Sequence, residues 1–133
     1  EIIRGENTSD EVLNKCIELV KRLNKISILA KDTHGFVVNR LLFSLINEAC
    51  NMLEEGTSSV EEIDKAMKLG ANHPMGPFTL MDYTGIDIAY DSLNYLQAEL
   101  GESRWSAPQA MKRLISAKRL GKKTGGKGWY TAQ

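Results

Sequence analysis

The order of apolar residues predicts a mainly helical chain preceded by a short β-α-β unit. Three observations carry that prediction. Two short β-branched runs flank an amphipathic stretch within residues 1–31. From residue 36 onward, apolar residues recur at helical spacing. Glycine or proline stands at most points where that spacing breaks.

Residues 1–4 read as a strand. Thr8 and Glu11 have the capping-box spacing that opens a helix, and Leu13, Cys16, Ile17, Val20 and Leu23 give that helix one apolar face. Residues 25–30 (KISILA) read as a second strand. A β-α-β unit belongs to a parallel sheet, and two strands do not make a stable sheet alone. Residues 1–31 are therefore expected to be the end of a larger α/β domain. The chain opens without Met and already inside a strand, which points to a piece of a longer protein.

Beyond Asp32 everything reads as helix, so residues 32–133 form a second, helical domain. Residues 36–55 are apolar nearly all round, and such a helix is expected to be buried on several sides, with Asn39 on a buried stripe alongside Phe36, Phe43, Ile46 and Cys50. Gly56 suits its end. Ser58 and Ser59, followed by Glu61 and Glu62, cap the next helix, which Gly70 closes. Residues 71–77 (ANHPMGP) form a loop, and Pro77 suits the first turn of a short helix over 78–83. Gly85 separates that helix from another at 86–100, which Gly101 ends. Pro108 opens the last helix, 109–120. The Gly-rich tail 121–133 is expected to fold back as a small strand or hairpin.

Lys plus Arg and Asp plus Glu number 17 each, so the net charge is zero. That balance argues against a nucleic-acid or anionic-membrane partner. No apolar run reaches the ~18 residues of a membrane-spanning helix, and the acidic opening lacks the basic region of a signal peptide. The two cysteines, Cys16 and Cys50, lie in helical patterns without CxxC spacing and read as reduced core residues, which fits the cytoplasm. The sequence has no GxGxxG or Walker A motif, and GGKG at 125–128 follows a helix rather than a strand. His34 and His73 stand far apart, without the company a metal site needs.

Three separated motifs carry a resemblance. Lys31-Asp32-Thr33-His34-Gly35-Phe36-Val37-Val38-Asn39-Arg40-Leu41 resembles the junction between the NAD-binding and helical domains of 3-hydroxyacyl-CoA dehydrogenases. Pro74-Met75-Gly76-Pro77 with Asp82, Gly85 and Asp87, and Gly121-Lys122-Lys123-Thr124-Gly125 with Lys127-Gly128-Trp129-Tyr130, resemble two later segments of that family, in the same order. The resemblance covers the whole chain and is closest to the short-chain, 3-hydroxybutyryl-CoA type.

The resemblance implies that residues 1–31 are the last β-α-β of a Rossmann-type domain, and that the helical domain meets the acyl-CoA and builds a homodimer. A piece that has lost the domain it packs against is also expected to exchange helices with a partner copy, giving a domain-swapped dimer. It implies NAD as cofactor, bound mainly by the preceding domain. Glu1 would pair with a catalytic His that lies outside this chain. Asn39 would donate to the substrate's oxygen, and Lys123 would reach the nicotinamide cofactor. Read from residues alone, Lys123 is one of a solvated basic run between 112 and 127. His34, where the family often carries Pro, reads as a hinge residue and not as the catalytic His. Two alternatives stand beside this: a purely structural dimerisation module, and the helical domain of a related two-domain hydroxy-acid dehydrogenase.

Overall fold

The structure is a computed structural model and describes residues 1–130; the last three residues of the expected tail lie outside the described residues. Two compact units divide it, Glu1–Leu41 and Leu42–Gln133. The sequence places the change of character earlier, at Asp32. The difference arises because residues 33–37 form a turn that stays with the first unit, tied by Glu1 to the start of the long helix.

The first unit is the expected β-α-β. Strand β1 (Ile2–Arg4) pairs in parallel with β2 (Leu29–Lys31), in the register Ile2 to Leu29, Ile3 to Ala30 and Arg4 to Lys31. Helix α1 (Asp10–Arg22) connects them. Its cap is Ser9, whose hydroxyl accepts the Val12 N–H, rather than Thr8 one residue earlier. Asn24, left-handed at φ 53°, closes α1, and the Lys25 N–H still donates to the Val20 carbonyl. The backbone therefore reaches the sheet only at Ile28, later than the apolar run from Lys25 suggests. On α1 only Leu13 is buried, so Cys16 is exposed, contrary to the expected core position. The side chains that face inward are Leu13, Ile17 and Val20, and Cys16 lies beside that row.

Helix α2 runs Val38–Glu54. It starts two residues later than the apolar pattern suggests because Gly35 and Phe36 are both left-handed, with φ 77° and 47°. Burial along it is graded. Val38 and Leu41 are exposed, whereas Ile46, Asn47, Ala49 and Cys50 are buried, so only its second half is enclosed within this chain.

The second unit adds α3 (Val60–Gly70), α4 (Pro77–Thr84), α5 (Ile86–Leu100), a 3-10 turn at Ser103–Trp105 and α6 (Gln109–Ser116). Ser59 caps α3 by accepting the Glu62 N–H, and Pro77 opens α4. Left-handed Gly101 stops α5. Helix α6 ends before residue 120 because Lys118 turns left-handed at φ 54°, which lets Arg119 N–H reach back to the Leu114 carbonyl. The core lies wholly in this unit, around fully enclosed Phe78, Met81, Ile86, Leu93, Trp105 and Met111. Each such side chain contributes ~1.5–3 kcal/mol on leaving water. The tail forms a 3-10 turn at Lys122–Thr124 and one antiparallel bridge, Gly121 to Lys127, and lays Trp129 edge-on against Phe78 at 4.8 Å.

Candidate functional site

Glu1 stands immediately before β1, and its side chain is engaged. Oε1 accepts the backbone N–H groups of Val37 at 2.8 Å and Val38 at 3.2 Å. These are among the N–H groups that the first turn of a helix leaves without intrahelical partners. A carboxylate there is favoured by both hydrogen bonding and the helix dipole. The strand that opens the chain and the helix that opens the helical region are thus joined at one oxygen.

Asn39 is the second residue of α2 and is exposed, not buried on a stripe with Ile46 and Cys50 as its spacing suggests. The left-handed turn at Gly35 and Phe36 brings it into the first helical turn, ahead of the segment where α2 becomes enclosed. The buried amide of α2 is Asn47, whose Nδ2 donates to the Arg104 carbonyl at 2.6 Å. An exposed amide in the first turn of a helix is open to a ligand, as a core amide is not. His34 lies half-buried in the same turn, and His73 donates its N–H to the Met67 carbonyl.

Lys123 sits in the tail turn, and the tail is held down by Asp82 of α4. The Asp82 carboxylate accepts Trp129 N–H at 2.8 Å and Tyr130 N–H at 3.0 Å. Two tail glycines pack against the same residue. A Cβ on Gly128 would fall 2.0 Å from Asp82 Oδ1, and one on Gly121 would fall 2.3 Å from the Asp82 carbonyl oxygen. Side chains of neighbouring lysines then diverge. Lys122 Nζ stands over the Tyr83 ring at 4.0 Å, while Lys123 Nζ pairs with Asp87 at the start of α5, 3.0 Å from each carboxylate oxygen. Partial burial pushes the Asp87 carboxyl up. The Lys123 ammonium and the N–H groups of Ile88 and Asp87 outweigh that and hold it below the usual carboxylate range.

A second carboxylate, Asp64 of α3, is buried and makes four hydrogen bonds. It accepts from Phe78 N and Thr79 N at 2.8 Å each, from Thr79 Oγ1 at 2.6 Å and from the Tyr130 hydroxyl at 2.8 Å. It caps α4 from a neighbouring helix. The loop residue Gly76 has no room for a side chain, since a Cβ there would lie 2.3 Å from Asp64. Asp64, Asp82 and Asp87 were not singled out as site residues by the sequence. Each is matched by a glycine that packs against it: Gly76 for Asp64, Gly121 and Gly128 for Asp82, and Gly85 for Asp87.

For the nicotinamide dinucleotide that the resemblance implies, this chain has one candidate contact, Lys123, and no main cradle. Lys123 offers a half-exposed ammonium whose position is set by Asp87. The glycine-rich strand-turn-helix that grips the pyrophosphate is absent from the sequence. Among the described residues no group of His, Cys, Asp and Glu could hold a metal ion, and no helix is long and apolar enough to cross a membrane.

Comparison with known proteins identifies the family. The 3-hydroxyacyl-CoA dehydrogenase C-terminal domain family matches residues 35–132. A 3-hydroxybutyryl-CoA dehydrogenase of Clostridioides difficile is 43% identical over 93% of this chain, which covers 44% of that protein. The mitochondrial hydroxyacyl-coenzyme A dehydrogenase of Mus musculus is 41% identical over 98% of the chain, covering 41% of its own length. The crystal structure of a (S)-3-hydroxybutyryl-CoA dehydrogenase from Ralstonia eutropha superposes with a TM-score of 0.92 at 42% identity, over 98% of this chain and 46% of that one. The chain thus spans about half the length of the relatives it matches. It belongs to the 3-hydroxyacyl-CoA dehydrogenase family and carries that family's C-terminal helical domain.

Proposed function

We propose that this chain is the C-terminal part of an NAD-dependent (S)-3-hydroxyacyl-CoA dehydrogenase acting on short acyl chains. The observation that carries the reading is the tie between Glu1 and the first turn of α2, which joins a carboxylate to the helical turn that holds Asn39. In this reading Glu1 keeps Oε1 on the α2 amides and orients a His of the preceding domain through Oε2. The imidazole takes the proton of the 3-hydroxyl, and the carboxylate stabilises the imidazolium. Asn39 Nδ2 donates to the substrate's 3-oxygen or thioester carbonyl, and at the 3-oxygen it opposes the negative charge that develops as the proton leaves. NAD would supply the hydride acceptor, and Lys123 would contribute one contact toward holding it. The relatives' shared names support the acyl-CoA substrate and the oxidoreductase class.

We take the working protein to be a cytoplasmic homodimer formed through the helical region, with exchange of helices between copies as a variant. Exposed Ile88 and Tyr95, seven residues apart on α5, support an apolar contact face. Light scattering at two concentrations measures the assembly, and a monomer at both would dispose of it.

The test of function is direct. The full-length protein should oxidise NADH with acetoacetyl-CoA, and this chain alone should not, because its sequence has no dinucleotide-binding motif. In the full-length protein, Glu1→Gln and Asn39→Ala should each lower kcat/KM by roughly 100-fold, the scale of a lost general-base partner or oxyanion donor. Equal activity on the free 3-oxo acid, without CoA, would refute the acyl-CoA assignment.

A further inference from the structure

Lys123 and Asp87 form an ion pair whose setting stability alone does not call for. The ammonium is 3.0 Å from both Asp87 oxygens, and the two side chains stay 44% and 32% exposed. Exposed pairs of this kind contribute ~0–1 kcal/mol. Yet the backbone is shaped around this one. Gly85 has φ 118°, and a Cβ there would lie 2.6 Å from Asp87 Oδ1 and 2.8 Å from Lys123 Nζ. The pair occupies the volume that any other residue at 85 would fill. Asp82 pins the far end of the same tail through Trp129 and Tyr130, and the Lys122 ammonium is held apart over Tyr83. An ammonium has three N–H donors, and two carboxylate oxygens engage at most two. One donor therefore remains, on a side chain whose position is already set.

We propose that Asp87 is a positioning residue for cofactor binding: it fixes the Lys123 ammonium so that its remaining N–H meets an acceptor oxygen of the nicotinamide dinucleotide, and Gly85 keeps the space open. The proposal rests on the reading of Lys123 as a cofactor contact. Pre-setting the ammonium removes part of the ordering cost that a free lysine would bring to binding.

The experiment measures the NADH dissociation constant by fluorescence, with melting temperature alongside, in the full-length protein. Four variants are compared: Lys123→Met, Asp87→Asn, Asp87→Glu and the Asp87→Asn/Lys123→Met double. Lys123→Met is expected to weaken binding roughly tenfold, the scale of one charge-assisted hydrogen bond. Asp87→Asn should weaken it roughly three- to tenfold, and the double variant no more than Lys123→Met, since Asp87 acts only through the lysine. Asp87→Glu keeps the charge but moves the ammonium, so it too should weaken binding. Melting temperatures of the single variants should stay within about 3 °C of the parent. Unchanged affinity in Lys123→Met would remove the cofactor contact itself, and the proposal with it. A loss in Lys123→Met with parental or tighter binding in both Asp87 variants, or additive losses in the double, would overturn the positioning role while leaving the contact standing.

Discussion

The Tyr130 hydroxyl donates to Asp64 Oδ2 at 2.8 Å in a partly buried setting. Burial first, and then the hydrogen bond to Asp64 and its negative charge, hold the phenol protonated above its ordinary value of 10.0. The folded chain therefore binds that proton more tightly than the unfolded chain. The stabilisation is fully present below pH 10.0 and is lost as pH rises from there toward the folded value. Urea unfolding across that range should show stability falling above about pH 10 in the parent, with a shallower fall in Tyr130→Phe. At about pH 8 the same variant should cost about 1–2 kcal/mol, because three other donors still satisfy Asp64. The two thiols offer a second test of single-residue environment. Burial, then the nearby charge of Glu54, pushes Cys50 up to about 12, whereas Cys16 is exposed. Native labelling with a thiol reagent should mark Cys16 alone, and Cys50 only after unfolding, by mass spectrometry of the peptides. Both cysteines look alike in sequence, since each sits in a helical apolar pattern. What separates them is how much protein covers each helix, and one strand pair covers little of α1.

At the level of elements, local chemistry made the boundaries legible wherever the cause was local. Ser59 before α3, Pro77 at the start of α4 and Gly101 after α5 are read directly from residue type. Boundaries set by a non-glycine residue in a left-handed conformation were not legible: Phe36 delays α2, Asn24 closes α1 and Lys118 shortens α6. Contacts distant in sequence were illegible for a different reason. Nothing near Asp82 announces that its partners are Trp129 and Tyr130, yet this contact explains why the tail motif carries glycine at 121 and 128. Asp82→Asn keeps the shape but leaves one amide oxygen for two N–H groups, so it should lower stability by about 2 kcal/mol. Gly128→Ala should cost more than that, since its Cβ has to displace the carboxylate. If the two variants melted with the parent by calorimetry, the clasp would not be holding the tail.

For the molecule as a whole, the two units differ in how much they bury. The second holds the entire core cluster, while the first has Leu13 as its sole buried apolar residue among those described. Its outward apolar side chains include Val12, Leu19, Leu23 and Ile26, the last 96% exposed. A segment this short, with two strands, is below the size at which a core sustains itself. The same inequality is what the sequence reading of residues 1–31 rests on. A β-α-β pattern without further strands reads as the end of a larger domain, and the family's relatives are about twice as long. Local opening follows burial, so hydrogen exchange should separate the units cleanly. In the isolated chain, amides of β1, α1 and β2 should exchange within seconds to minutes, while those of α5 around Ala89, Leu93 and Leu96 should be protected by several orders of magnitude. In the full-length protein the first unit should gain protection to near the level of α5, because its apolar side chains would then be covered by the rest of a parallel sheet. Mass spectrometry of matched peptides from the two proteins makes the comparison. Protection of residues 2–31 that is already complete in the isolated chain would mean that the β-α-β unit is stabilised by contacts of its own, and that its exposed apolar residues are not a surface awaiting the missing half.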